Sequence, residues 1–133
     1  MFRFLHSADL HLGKPFGGFE PELQAQLRRA RLEVLPRLAQ AARDGGAAFV
    51  VLAGDIFDVA EPEPRLVAQA LEALALERDI TWLCLPGNHD PHRPGGVWER
   101  LAPGAPANLR LLLDAAPVSV VPGLSLLPAP CVA

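Results

Sequence analysis

Two aspartates, two histidines and an asparagine carry the chemistry that this sequence offers. They arrive in three short phrases: Ala8-Asp9-Leu10-His11, Gly54-Asp55-Ile56-Phe57-Asp58 and Gly87-Asn88-His89-Asp90. Carboxylate, imidazole and amide oxygen form the donor mix that suits hard and borderline divalent cations. Asp9 and His11 are two residues apart, so along an extended backbone both project to one side. One loop could then chelate one cation through a carboxylate oxygen and an imidazole nitrogen. Taken singly, each phrase has a plainer reading: an Asp cap beside a loop histidine, or an ordinary turn at Pro86-Gly87-Asn88. Three such phrases in one chain imply most of a site for two divalent cations, the kind that acts on phosphoesters.

Such a site needs a scaffold that brings residues 9, 55 and 88 together. Each phrase follows an apolar run that reads as a buried strand: Phe2–Leu5, Ala47–Ala53 and Ile80–Leu85. Between the first two runs, Leu23, Leu27, Ala30, Val34, Leu38 and Ala41 recur at helical spacing over Glu22–Ala42. Pro36 predicts a kink or break near Val34–Leu35, and Gly45-Gly46 closes the helix. Pro62 and Pro64 mark a second helix start, with Leu66, Val67, Ala70, Leu71 and Leu74 as its buried stripe. Strand, helix, strand, helix, strand is the pattern of parallel pairing through right-handed crossovers. An α/β sheet of this kind collects its ligand-binding loops beyond the carboxyl ends of the strands, so Asp9 and Asp55 are expected within one ion's reach of each other.

After Asp90 the character changes. Pro91–Pro106 is rich in Pro and Gly, with one short helix expected at Val97–Leu101. Short strands follow at Leu109–Leu113, Pro117–Val121 and Leu124–Leu127, the last two joined by a Pro122-Gly123 turn. They predict a second, more antiparallel sheet packed on the first.

The three phrases, in this order and each behind a strand, resemble the calcineurin-like metallophosphoesterase superfamily. Leu5-His6-Ser7-Ala8-Asp9-Leu10-His11-Leu12-Gly13 is similar to the opening of SbcD-type DNA repair exonucleases, and Lys14-Pro15-Phe16 continues it as in the YhaO-like branch. The resemblance implies a layered α/β/β/α sandwich, here incomplete at its C-terminal side, and hydrolysis of phosphodiesters in DNA with two divalent ions. Mn²⁺ is the family's usual metal; Mg²⁺, iron and Zn²⁺ fit the same donors. It also implies roles. Asp9, His11, Asp55 and Asn88 would be the metal ligands, with Asp55 shared by both ions and Asn88 on the second, and His89 would be the catalytic residue facing the phosphate. Asp58 would orient a ligand or accept a loop N–H. Asp90 would either fix the His89 tautomer or cap a turn. An SbcC-type ATPase and a second copy of the chain are the implied partners besides DNA.

The superfamily's later histidines have no counterpart here, since His6, His11, His89 and His92 are the only four. With the apolar ending Leu127–Ala133, this predicts that residues 1–133 are the N-terminal portion of a single, longer catalytic domain. Two other readings stay open: a phosphatase or phosphodiesterase acting on a small phosphoester or nucleotide, and a non-catalytic metal-binding or interaction module. Val59-Ala60 follow the second phrase where protein phosphatases resemble Asp-Arg-Gly, which counts against that branch.

Composition sets the outer bounds. Half of the 133 residues are hydrophobic and a fifth charged, a globular balance. No apolar run approaches the ~20 residues of a membrane span, and Met1–His6 lacks the layout of a secretory signal. Cytoplasm is the expected compartment. Cys84 and Cys131 lack zinc-knuckle or disulfide spacing. A net charge of −3 gives no global basic excess, so DNA as a partner rests on the resemblance alone. The cluster Arg28, Arg29, Arg31 reads as a solvated helix face, His6 as a core histidine, and His92-Arg93 as a solvated loop.

Overall fold

The computed structural model describes residues 1–132. Four strands form one sheet in chain order: β1 (Phe4–Ser7), β2 (Phe49–Ala53), β3 (Thr81–Leu85) and β4 (Leu109–Leu111), all parallel. The crossovers are α1 (Pro21–Leu32) with α2 (Val34–Asp44), then α3 (Pro64–Leu76), then α4 (Val97–Leu101) with a short 3₁₀ turn at Ala102–Gly104. Because chain order and sheet order coincide, right-handed crossovers put these helices on one face. The pleat shows the division. Val50 and Leu52 of β2, with Trp82 and Cys84 of β3, are fully buried under Leu35, Ala39, Ala70, Leu74 and Trp98 of the helices. Phe49, Val51, Leu83 and Leu85 face the other way, against the hairpin β5 (Val118–Val121) and β6 (Leu124–Leu126).

The first three strands are the parallel neighbours that the sequence predicts. The fourth is a correction: β4 pairs parallel with β3 and extends the first sheet, and only β5 and β6 pair antiparallel. A five-residue helix and one 3₁₀ turn suffice for that last crossover, so no long helical pattern announces it. Asn108 anchors it, its side-chain amide donating to the carbonyls of Leu74, Glu77 and Ile80 at 2.9, 3.0 and 3.1 Å. These carbonyls lie in the last turn of α3 and in the segment that leads from it into β3.

The long helix also divides. Pro36 has no N–H and its ring crowds the carbonyl four residues back, and the break falls at Glu33, which ends α1 and begins α2. The break shifts the buried phase: α2 packs with Leu35, Ala39 and Ala42, whereas Val34, Leu38 and Ala41 lie to one side. No residue of α1 is buried, and Leu23 is exposed. At the other end Gly46 takes φ +71°, and Ala47 N–H reaches back to the Ala42 carbonyl, the closure expected of a helix ending in glycine. Gly123 takes φ +83° in the β5–β6 turn, as the second turn position after Pro122 requires.

Candidate metal centre

The chain that leaves β1 does not separate from the chain that leaves β2. Asp9 N–H donates to the Gly54 carbonyl at 3.0 Å, His11 N–H to the Asp55 carbonyl at 3.0 Å and Leu12 N–H to the Ile56 carbonyl at 2.8 Å. Asp58 N–H returns the contact to the Leu12 carbonyl at 3.0 Å. The ladder persists although Asp9, His11 and Asp55 have left-handed backbones, with φ of 57°, 47° and 53°. Such φ values cost a non-glycine residue on the order of 1–2 kcal/mol each. They turn the Asp9, His11 and Asp55 side chains to one spot: one ligand atom from each lies within 4.8 Å of the others.

The third loop is locked to the second through a buried carboxylate. Asp90 has no exposed surface, and its Oδ1 accepts from Asp55 N–H at 3.0 Å and Gly87 N–H at 2.8 Å. Its Oδ2 accepts from Ile56 N–H at 2.9 Å and Phe57 N–H at 3.0 Å. Burial pushes the Asp90 carboxyl above the ordinary carboxylate value; the Phe57, Gly87 and Asp55 N–H groups pull it down, and the Asp55 charge adds to the rise. Trp98 of α4 donates its indole N–H to the Asp90 carbonyl, so the helix behind the sheet holds the same residue. Glycine is required where the two loops meet. A Cβ on Gly87 would collide with the Asp55 carboxylate and N–H, and one on Gly54 would press 3.0 Å from Gly87 Cα.

These contacts decide between the two roles open to Asp90. Its oxygens cap backbone N–H groups, whereas His89 Nδ1 lies 3.0 Å from the Asp58 carbonyl. A carbonyl only accepts, so Nδ1 carries the proton and Nε2 is left to face solvent. His89 N–H donates to Asp55 Oδ1 at 2.8 Å. Asp58 Oδ1 lies 3.0 Å from His11 Nδ1, which likewise places the proton there and frees Nε2, 3.8 Å from Asp9 Oδ1. A carboxylate behind a histidine ring is the usual way to fix a ligand tautomer. The two rings meet edge to face at 4.8 Å, and His11, Asp58 and His89 form a second group whose ligand atoms lie within 4.8 Å of one another. Asn88 is exposed between Gly87 and His89, at the same end of the sheet.

Three residues lie elsewhere. His6 is exposed on the hairpin-side face of edge strand β1, not in a core. His92 is half-buried, with Nδ1 3.0 Å from the Leu113 carbonyl, and Arg93 pairs with Glu61 at 2.7 Å. Trp98 was not legible as part of the site; its only signal is a large donor-bearing ring eight positions after Asp90. Donor types, shared orientation and fixed tautomers together fit a divalent ion at Asp9, His11 and Asp55.

Comparison with known proteins gives two kinds of match. The calcineurin-like phosphoesterase family profile matches residues 2–124. The DNA double-strand break repair protein Mre11 of Archaeoglobus fulgidus is 34% identical over 90 residues, 66% of this chain and 19% of that protein. The uncharacterized metallophosphoesterase YhaO of Bacillus subtilis is 33% identical over 121 residues, 86% of this chain and 28% of that protein. The chain therefore spans less than a third of the length of either relative.

Proposed function

Because the chain belongs to the calcineurin-like phosphoesterase family, a family of hydrolases that use divalent metals, we propose that it takes part in hydrolysing the phosphodiesters of DNA during repair, as an exonuclease. The observation that carries this reading is the convergence of Asp9, His11 and Asp55 ligand atoms within 4.8 Å. Similarity to the Archaeoglobus repair protein supports DNA as the substrate. Residues 1–133 would supply the N-terminal portion of one catalytic domain.

In this reading Asp9, His11 and Asp55 hold a first divalent ion, and Asp55 with Asn88 hold part of the shell of a second. Mn²⁺ is the proposed metal. Bound ions of this kind acidify water and offset charge on phosphate oxygens. The remaining work falls to side chains. Asp58 keeps the His11 ring oriented through Nδ1, leaving Nε2 to ligate. The Asp58 carbonyl keeps the His89 proton on Nδ1. His89 Nε2 then faces the phosphate and, as imidazolium, donates a proton or hydrogen bond to it. Asp90 keeps the second and third loops in register. An SbcC-type ATPase, a second copy of the chain and a cytoplasmic setting belong to the same proposal; no helix among the described residues is long and apolar enough to cross a membrane.

Calorimetric titration with Mn²⁺ tests the reading. One well-held ion is expected, abolished by Asp9→Ala, because the second site has only Asp55 and Asn88 against hydration. Binding that survives Asp9→Ala, or no binding at all, would refute the assignment. Faster hydrolysis of p-nitrophenyl phosphate than of the bis-p-nitrophenyl diester would overturn the diester preference.

A further inference from the structure

Beside the metal centre, on the helix side of the sheet, runs a groove of about 770 Å³ between α1 and α3. Leu12 and Gly13, directly after His11, and Val59, directly after Asp58, form the end nearest the metal loops. Its apolar lining includes Leu12, Leu32 and Leu66, with Arg28 and Arg29 of α1 on one side and Arg65 of α3 on the other. The chain as a whole is negative, at −3. The groove inverts that. Three arginines, Arg28, Arg29 and Arg65, line it against two carboxylates, Glu61 and Glu63, and Arg93 pairs with Glu61 at its edge. Glu61 is already neutralised by Arg93, while Arg28, Arg29 and Arg65 have no acidic partner among the described residues. Arg31, from the same run of arginines, is used differently: it donates to the Leu10 carbonyl at 2.8 Å and covers the Phe16 ring.

α1 supports this picture from the packing side. It buries none of its residues fully; Leu32 packs against the core and Arg31 bonds the Leu10 carbonyl, while Arg28 and Arg29 make no side-chain hydrogen bond or ion pair among the described residues. Unpaired guanidinium groups on both walls of an apolar-floored channel match a chain that carries regular negative charge outside and flat apolar rings inside.

We propose that this groove seats a single nucleic-acid strand, its phosphates held by Arg28, Arg29 and Arg65 and its bases laid on the apolar floor, so that the strand runs towards the metal loops. The inference rests on the phosphodiesterase reading and specifies its substrate. A single strand is favoured over a duplex because only unpaired bases offer free faces to an apolar floor.

The test measures binding of a fluorescein-labelled oligothymidylate to the full chain in EDTA, so that metal ligation plays no part, across a salt series. The comparison is Arg28→Gln/Arg29→Gln/Arg65→Gln. All three arginines are exposed, so these changes spare the core, and circular dichroism checks the fold. Each lost phosphate contact on a single strand lowers the slope of log K against log salt by about 0.7, so the triple variant should lose about 2 from the slope and bind about 10- to 100-fold more weakly at low salt. Mn²⁺ titration of the same variant should be unchanged. No binding by the parent chain, equal binding by the triple variant, or equal competition by a duplex or by polyglutamate would overturn the proposal. If Mn²⁺ binds in those cases, the groove assignment alone falls; if Mn²⁺ also fails to bind, the metal reading falls with it.

Discussion

Replacing Asp90 by asparagine keeps the shape of the side chain and removes half of its accepting power. The carboxylate receives four backbone N–H groups, two on each oxygen, at 2.8–3.0 Å. Whichever way the substituted amide is turned, its NH₂ would face two of those donors. A buried donor left without a partner costs about 1–3 kcal/mol, so two cost about 2–6 kcal/mol. Removing the charge recovers part of the desolvation that pushes the Asp90 carboxyl upward, which selects the lower half of that range. With a urea slope of about 2 kcal/mol per molar, the middle of the usual range for small proteins, the unfolding midpoint should drop by about 1–2 M. The loss is local to Asp55–Phe57 and Gly87, so Mn²⁺ affinity should weaken by about 10- to 100-fold, as when a ligand loses its orienting partner. The control is Asp9→Asn, whose side chain is largely exposed; it should weaken Mn²⁺ binding with little effect on the urea midpoint. An Asp90→Asn protein with unchanged midpoint and unchanged Mn²⁺ affinity would show that the buried carboxylate does not hold the loops together.

Gly87→Ala puts a methyl group into the Asp55 carboxylate and N–H; overpacking of this kind costs about 1–3 kcal/mol, and the displaced Asp55 should lose Mn²⁺, both measurable by urea unfolding and calorimetry. In a preparation that turns over bis-p-nitrophenyl phosphate, His89→Ala should lower kcat about 10²- to 10⁴-fold and leave Mn²⁺ stoichiometry intact; loss of metal would make His89 a ligand. Arg43 bonds Asp79 and Glu77, and its guanidinium holds the Asp79 carboxyl below the ordinary carboxylate value. That contribution is present above about pH 4 and lost as pH falls through the lowered Asp79 value. The stability gap between the parent and Arg43→Met should therefore narrow on acidification; a gap that widens would contradict the pairing.

The sequence exposes most of the fold's skeleton because parallel strands buried on both faces are written as apolar runs, as at Phe49–Ala53 and Thr81–Leu85. It exposes the donors because Asp9, His11 and Asp55 must follow those runs directly. Hidden features depend on contacts between distant residues. The helical stripe of Leu23, Leu27 and Ala30 looks buried by spacing, yet α1 buries none of them. The phase of α2 is reset at Glu33 by Pro36, and spacing counted through the break picks the wrong residues. β4 is three residues long and enters by a short crossover, so its partner is set by Asn108 rather than by any helical pattern. Asp90 looks like any aspartate after a turn; only the approach of residues 55–57 shows that its oxygens are fully used.

The coincidence of chain order and sheet order bears on how the protein is made. Within the four-stranded sheet each strand after β1 pairs with the one synthesised just before it, so every addition closes one crossover loop and none of these strands waits for a partner still to come. Loop-closure entropy is then met in three similar instalments, through 41, 27 and 23 intervening residues, and not in one long search. A chain leaving the ribosome can extend the sheet from β1 outward, and the metal loops come together in the same sequence: Asp9 meets Asp55 as β2 docks, and Asp90 locks both when β3 follows. Asp9, His11 and Asp55 are therefore brought together before β4 and the hairpin exist, at the moment when the partly built sheet has its most open edge.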